Sequence, residues 1–119
     1  MDLTDKQIRA MFAKKKKFIS KNIAVVPKES GTYELYGSDG KLLYVGVATK
    51  GKYANLRHRL ESYKEKDNFS THPTKKELRP KIKQFSYAVI PISHARRIEK
   101  VDKSHTKFNK DHNIGTWKR

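Results

Sequence analysis

Tyr33 and Tyr44 stand with ten residues between them, each in a glycine-bearing tripeptide: Gly31-Thr32-Tyr33 and Tyr44-Val45-Gly46. A third tyrosine, Tyr63, closes the basic segment Asn55-Leu56-Arg57-His58-Arg59-Leu60-Glu61-Ser62-Tyr63. A phenol with its ordinary pKa near ~10 is a poor base at neutral pH unless cations or a metal-bound water lie beside it. Arginine can supply that cation, because its guanidinium stays charged and forks onto two oxygens of a phosphate. Taken singly, each tyrosine reads as a cross-strand packing residue. The ordered set reads as a site.

Other chemistries find no support. The five histidines, His58, His72, His94, His105 and His112, include no pair at the i, i+4 spacing of a helical zinc site. The absence of cysteine excludes a disulfide scaffold, a thiolate zinc site and a cysteine nucleophile. Gly46 and Gly51 form neither a phosphate loop nor a dinucleotide motif, and no serine sits in a nucleophile elbow. A hard cation held by a carboxylate and waters is compatible with so few acids.

Charge points to the partner. The 119 residues carry 28 lysines and arginines against 12 acids, a formal charge of +16. Self-repulsion of that size in a small domain is relieved by a polyanion, so nucleic acid is the expected partner. With 35% hydrophobic residues the chain can bury a small core, and one domain is expected. No apolar run approaches the ~18–20 residues of a membrane span, and the opening MDLTDKQ does not read as a signal peptide. The expectation is an intracellular protein, cytoplasmic or nucleoid-associated (nuclear in a eukaryote).

The elements that must position the tyrosines follow from patterning. Ile8, Met11, Phe12 and Ile19 predict a helix over Thr4–Ile19, with the run Lys14, Lys15, Lys16 and Lys17 on it. Asn22–Pro27 is a short apolar lead-in. Gly31–Tyr36 and Lys41–Val47 flank an Asp39-Gly40 turn and predict a β-hairpin. Leu56, Leu60 and Tyr63 predict a helix over Asn55–Lys66 with an inward apolar face. One or two helical turns broken at Pro80 are expected over Thr74–Gln84. Phe85–Ile92 is the strongest strand signal, and Ser93 is the expected N-cap of a helix running to Lys103. Tyr36 and Tyr87 are expected as packing residues, and Trp117 in the polar tail needs a place to pack. The fold class is α/β in composition, more narrowly α+β: a small three-stranded antiparallel sheet flanked by helices, with an extra N-terminal helix. Residues 1–28 form the expected N-terminal helical extension and residues 29–119 the main domain.

The tripeptides Gly31-Thr32-Tyr33 and Tyr44-Val45-Gly46, their separation, and the segment NLRHRLESY resemble the GIY-YIG nuclease family. The resemblance runs from about Gly31 to Asn113 and is weaker in its C-terminal third. It implies a metal-dependent endonuclease that hydrolyses DNA phosphodiester bonds. On that pattern Tyr33 activates water, Arg59 holds the scissile phosphate, and Tyr44 and Tyr63 complete the pocket. His58 is a candidate proton relay behind them. Glu99, in the helix SHARRIEKVD, is the implied ligand of one Mg²⁺ or Mn²⁺, which would neutralise charge on the leaving side. Asn113 or Asn109 would position the phosphate or the metal's shell. Lys14–Lys17, Lys50, Lys52, Arg57, Arg96 and Arg97 are the expected nucleic-acid contacts.

The pattern also departs from the family. Many relatives carry a lysine or arginine directly after the second tripeptide, where this chain has Val47; Lys50 and Lys52 are the expected substitutes. Arg57 competes with Arg59, and Arg59-Leu60 followed by Tyr63 favours Arg59. Glu99 could instead be a surface residue paired with Lys103 at i, i+4. Relatives often attach a separate DNA-binding domain. Here specificity for duplex or branched DNA is expected from the domain itself, a homodimer or a targeting partner. Two other classes fit the same sequence: a non-catalytic nucleic-acid-binding module of this fold, and a basic RNA-associated structural protein whose hairpin tyrosines are core residues only.

Overall fold

A capping box starts α1 (Asp5–Ala10). The Thr4 hydroxyl accepts from the Gln7 N–H at 3.1 Å, and the Gln7 side-chain oxygen accepts from the Thr4 N–H at 2.8 Å. These and all following elements come from a computed structural model that describes residues 4–64 and 78–102. α1 stops well short of the helix expected through Ile19. The lysine run is extended instead, and Lys16–Lys17 form a two-residue edge strand, β1. The reason lies in two anchors. Ile8 is buried on one face of the sheet and Phe18 on the other, so the intervening chain must cross the sheet's edge. It crosses in strand-like form, with the Ala13 N–H donating to the Tyr87 carbonyl and the Phe18 N–H to the Lys83 carbonyl, both at 2.9 Å. A helix would also have stacked like charges one turn apart.

The hairpin forms as the sequence predicts. β2 (Gly31–Tyr36) and β3 (Leu42–Ala48) pair antiparallel, with Tyr33 opposite Gly46 and Leu35 opposite Tyr44. Gly40 takes φ +78° in the turn, where the Lys41 N–H also donates to the Asp39 carboxylate at 2.9 Å. β4 (Gln84–Val89) pairs with the other side of β2, and β1 pairs with β4. The sheet is therefore four-stranded and antiparallel, in the order β1-β4-β2-β3, one short edge strand more than the three expected.

Helices cover both faces, which makes the fold α+β. On one face α2 (Ser20–Ile23) and α3 (Leu56–Ser62) pack Ile23, Leu56 and Leu60 against Leu35, Tyr33 and Phe85. On the other, α1 and α4 (Ile92–Asp102) bring Ile8, Ala95 and Ile98 onto Ala88 and Ile90. Residues expected as an N-terminal extension thus fill the core: Ile8 on one face, Phe18, Ile23 and Val26 on the other. α4 starts one residue before Ser93. The carbonyl of Pro91 accepts from the N–H groups of His94 and Ala95, so Ser93 is not its N-cap. Of the turns expected over Thr74–Gln84, residues 74–77 lie outside the described residues, Leu78 is helical, and a 3₁₀ turn at Arg79–Lys81 contains Pro80. Tyr87 stacks on Phe85, and Tyr36 donates to the Glu34 carboxylate, both as packing residues. No helix among the described residues is long and apolar enough to cross a membrane. Asn109, Asn113, His72, His105, His112, Lys103 and Trp117 lie outside the described residues.

Candidate active site

The pleat aims Tyr33 and Tyr44 at the same face of the hairpin, and Tyr63 meets them from the C-cap of α3. The three rings form a triangle with centroids 6.1–6.3 Å apart, and the Tyr33 and Tyr63 hydroxyls lie 3.1 Å from each other. All three are buried. Two glycines make this possible. A Cβ on Gly46 would sit 2.3 Å from Cζ of Tyr33, so the ring lies flat across a residue without a side chain. A Cβ on Gly31 would sit 2.0 Å from the Ala88 carbonyl oxygen, so β2 and β4 approach only because that position is glycine. The outer glycine of each tripeptide therefore has a steric function: one fits the strand against its neighbour, the other fits the first tyrosine against the second strand.

Burial dominates the electrostatics. Desolvation raises the pKa of all three phenols, and those of Tyr44 and Tyr63 rise well above the ordinary range. For Tyr33 the guanidinium of Arg59 and the hydrogen bond to Tyr63 oppose the rise, whereas the Glu99 carboxylate adds to it. Glu99 also raises Tyr44. The expected set of Tyr33, Tyr44, Tyr63, Arg59 and Glu99 is therefore within electrostatic reach of one point. At neutral pH the three hydroxyls are protonated, and Tyr33 and Tyr44 feel both a cation and an anion.

α3 is set by a residue outside the expected set. Buried Asn55 caps it, accepting from the His58 N–H at 2.9 Å. The Asn55 amide also donates to the Gly51 and Lys52 carbonyls, both at 3.1 Å, which closes the loop after β3. An asparagine just ahead of Leu56 is a legible cap signal. Arg57 and Arg59 then part company. The Arg57 Nε donates to the Val26 carbonyl at 2.8 Å, tying α3 to the chain after α2, while Arg59 is exposed and acts on Tyr33. His58 is half-buried, and its ring meets Tyr53 edge-on at 5.4 Å.

Lys15 stands over the Tyr36 ring at 4.1 Å and reaches the Gly40 carbonyl at 3.4 Å. Lys14, Lys16 and Lys17 are exposed, as is Arg96; Arg97 is half-buried. Lys50 pairs with Glu29 at 3.4 Å. Lys17, Lys64, Arg79 and Lys83 line a groove of about 630 Å³ that has Tyr63 in its wall and no acid among the described residues of its lining.

Among the described residues no three His, Cys, Asp or Glu side chains converge as a metal cage. Mg²⁺, however, keeps several waters and is commonly held by one or two carboxylates plus substrate phosphates. A half-buried carboxylate, Glu99, whose charge acts on the Tyr33 and Tyr44 phenols, fits that open mode of binding. No family model matches the chain, and no curated protein matches it either.

Proposed function

We propose that this chain is a GIY-YIG-type endonuclease that hydrolyses DNA phosphodiester bonds with Mg²⁺ or Mn²⁺. The observation that carries the reading is the Tyr33–Tyr63 hydroxyl pair, 3.1 Å apart, with the charges of Arg59 and Glu99 both acting on Tyr33. Phosphoryl transfer needs a positioned water, charge stabilisation on the phosphoryl oxygens and help for the leaving oxygen. Arg59 is exposed on α3 and offers a bidentate donor to the phosphate. Tyr33 is protonated at neutral pH, so its hydroxyl orients the attacking water by hydrogen bonding, with Tyr63 fixing the direction of that hydroxyl. Glu99 would hold the cation, which when bound supplies charge neutralisation at the phosphate. The partner is duplex or branched DNA, engaged as a monomer, a homodimer or with a targeting partner, in the cytoplasm or on the nucleoid (the nucleus in a eukaryote).

A second reading has its own support. Phenols as deeply buried as Tyr44 and Tyr63 are difficult to deprotonate, which favours a nucleic-acid-binding module of the same fold without cleavage. Plasmid nicking with Mg²⁺, with Mn²⁺ and with chelator separates the two. Metal-dependent conversion of supercoiled to open-circular DNA supports the nuclease. Tight binding with no nicking in either metal selects the binding module.

A further inference from the structure

Tyr53 is the most exposed aromatic side chain among the large exposed hydrophobics, at 69%. An apolar ring left in water is common singly, but this one is held out by an unusually well-bonded loop. The Thr49 N–H donates to the Ala54 carbonyl at 2.9 Å, the Ala54 N–H to the Gly51 carbonyl at 3.2 Å, and the Gly51 N–H to the Thr49 hydroxyl at 3.1 Å. The Asn55 amide adds its two bonds to Gly51 and Lys52. The ring is buttressed edge-on by His58, and the Lys52 ammonium stands 5.3 Å from its centroid. His58 precedes Arg59 on α3, so the ring packs against the helix that carries the proposed phosphate-binding arginine. An exposed aromatic surface with a cation beside it is an arrangement by which proteins hold single-stranded nucleic acid: cations track phosphates and the ring stacks on a base.

We propose that Tyr53 is a stacking platform for an unpaired nucleobase of the bound nucleic acid. This rests on the nucleic-acid reading above and sharpens it, since the favoured substrate then carries an unstacked base: a flap, a branch point or a single strand. Within an intact duplex both faces of every base are already stacked, so Tyr53 has nothing to take up. The preformed loop spares the complex the ordering of a flexible segment, a cost that would otherwise offset much of the stacking energy.

The test compares binding of a short mixed-sequence single-stranded DNA with an abasic strand of equal length, for wild type, Tyr53→Phe and Tyr53→Ala. Both strands carry the same phosphates, so only the base distinguishes them. Wild type should prefer the base-bearing strand by about 5- to 150-fold, the range for one stacked base. Tyr53→Phe keeps the preference. Tyr53→Ala loses it, with the abasic strand and a blunt duplex bound as by wild type and an unchanged salt slope, because no charge is removed. Equal loss on both strands, or no loss on either, overturns the proposal and leaves the nuclease reading standing. Failure of wild type to bind any DNA overturns both. Concentration-dependent self-association that disappears in Tyr53→Ala assigns the ring to a second copy of the chain and likewise overturns the proposal.

Discussion

Gly46→Ala tests the steric logic of the hairpin without reference to any activity. The added Cβ would meet Cζ, Oη and Cε2 of Tyr33 at 2.3, 2.4 and 2.8 Å. Carbon atoms in contact settle at about 3.5 Å or more, so against 2.3 Å the ring must retreat by about 1.2 Å. It has little room, since Tyr44 and Tyr63 pack on it at centroid distances of 6.2 and 6.1 Å. Overpacking of this kind costs about 1–3 kcal/mol. Alanine is better than glycine in a strand by about 0.5–1 kcal/mol, which leaves a net loss of up to about 2.5 kcal/mol. Denaturant unfolding of Gly46→Ala should read that loss. In a Tyr33→Leu background the atoms that collide are gone, so adding Gly46→Ala should be neutral or mildly stabilising. The two substitutions are then coupled by about 1–3 kcal/mol, far outside the additivity of independent sites. Equal effects of Gly46→Ala in both backgrounds would refute the steric argument. On the nuclease reading, single-turnover cleavage by Gly46→Ala should also fall by about 10²-fold, the usual consequence of a ~1 Å misplacement.

Tyr33→Phe keeps the ring, so stability should change by no more than the ~1 kcal/mol of one hydrogen bond, while single-turnover cleavage slows by about 10²–10⁴ and DNA affinity holds; a wild-type rate in a normally folded variant defeats the proposed role. Glu99→Gln should abolish cleavage and leave DNA binding equal or tighter, and it should lower the Tyr33 pKa, whereas Arg59→Gln raises it; tyrosinate absorbance during alkaline titration reads both directions, and shifts of the same sign would contradict the charge arrangement. Phenols whose folded pKa is raised stabilise the fold below the unfolded value near ~10 and lose that contribution as pH climbs above it. Tyr33, Tyr44 and Tyr63 should therefore titrate above the free-tyrosine range, and their titrating as free tyrosine would deny the burial. Replacing Lys14–Lys17 by glutamine should lower the salt dependence of duplex binding by about 0.9 log units for each phosphate the run neutralises. Because Lys15 is engaged with Tyr36 and Gly40, the reduction should stay below that of four phosphates; an unchanged slope makes the run a solvated edge.

The hairpin was legible because each of its signals is local. Alternating strand formers, an Asp-Gly turn and a fixed tripeptide spacing all act within a few residues, and β2 appears with the bounds its sequence predicts. The N-terminal helix failed because its decisive interactions are not local. Ile8, Met11, Phe12 and Ile19 look like one amphipathic stripe on paper, yet buried Ile8 and Phe18 serve opposite faces of the sheet, and only the position of β4 makes the extended crossing favourable. The same competition explains Ser93. Its residue type is a good cap, but the Pro91 carbonyl already accepts from the His94 and Ala95 N–H groups, which starts the helical turn at Ile92 and puts Ser93 inside it. Tertiary partners outweighed local propensity in both places.

The site divides along the same line. Tyr33, Tyr44 and Tyr63 were readable as a set, because strand pairing and one helix bring them together whatever the rest of the chain does. Their protonation was not readable, since it depends on how deeply the rings are buried and on charges that arrive from two different helices. Arg59 comes from α3, over one face of the sheet, and Glu99 from α4, packed on the other, and both are felt at the same phenol. Spacing alone assigns Tyr33 the part of a base. Burial argues instead for a neutral hydroxyl that orients water, with Arg59 as the group whose charge keeps the Tyr33 pKa from rising further. The residue types carry over from the sequence, but the chemistry asked of the phenol changes from proton removal to positioning once its surroundings are known.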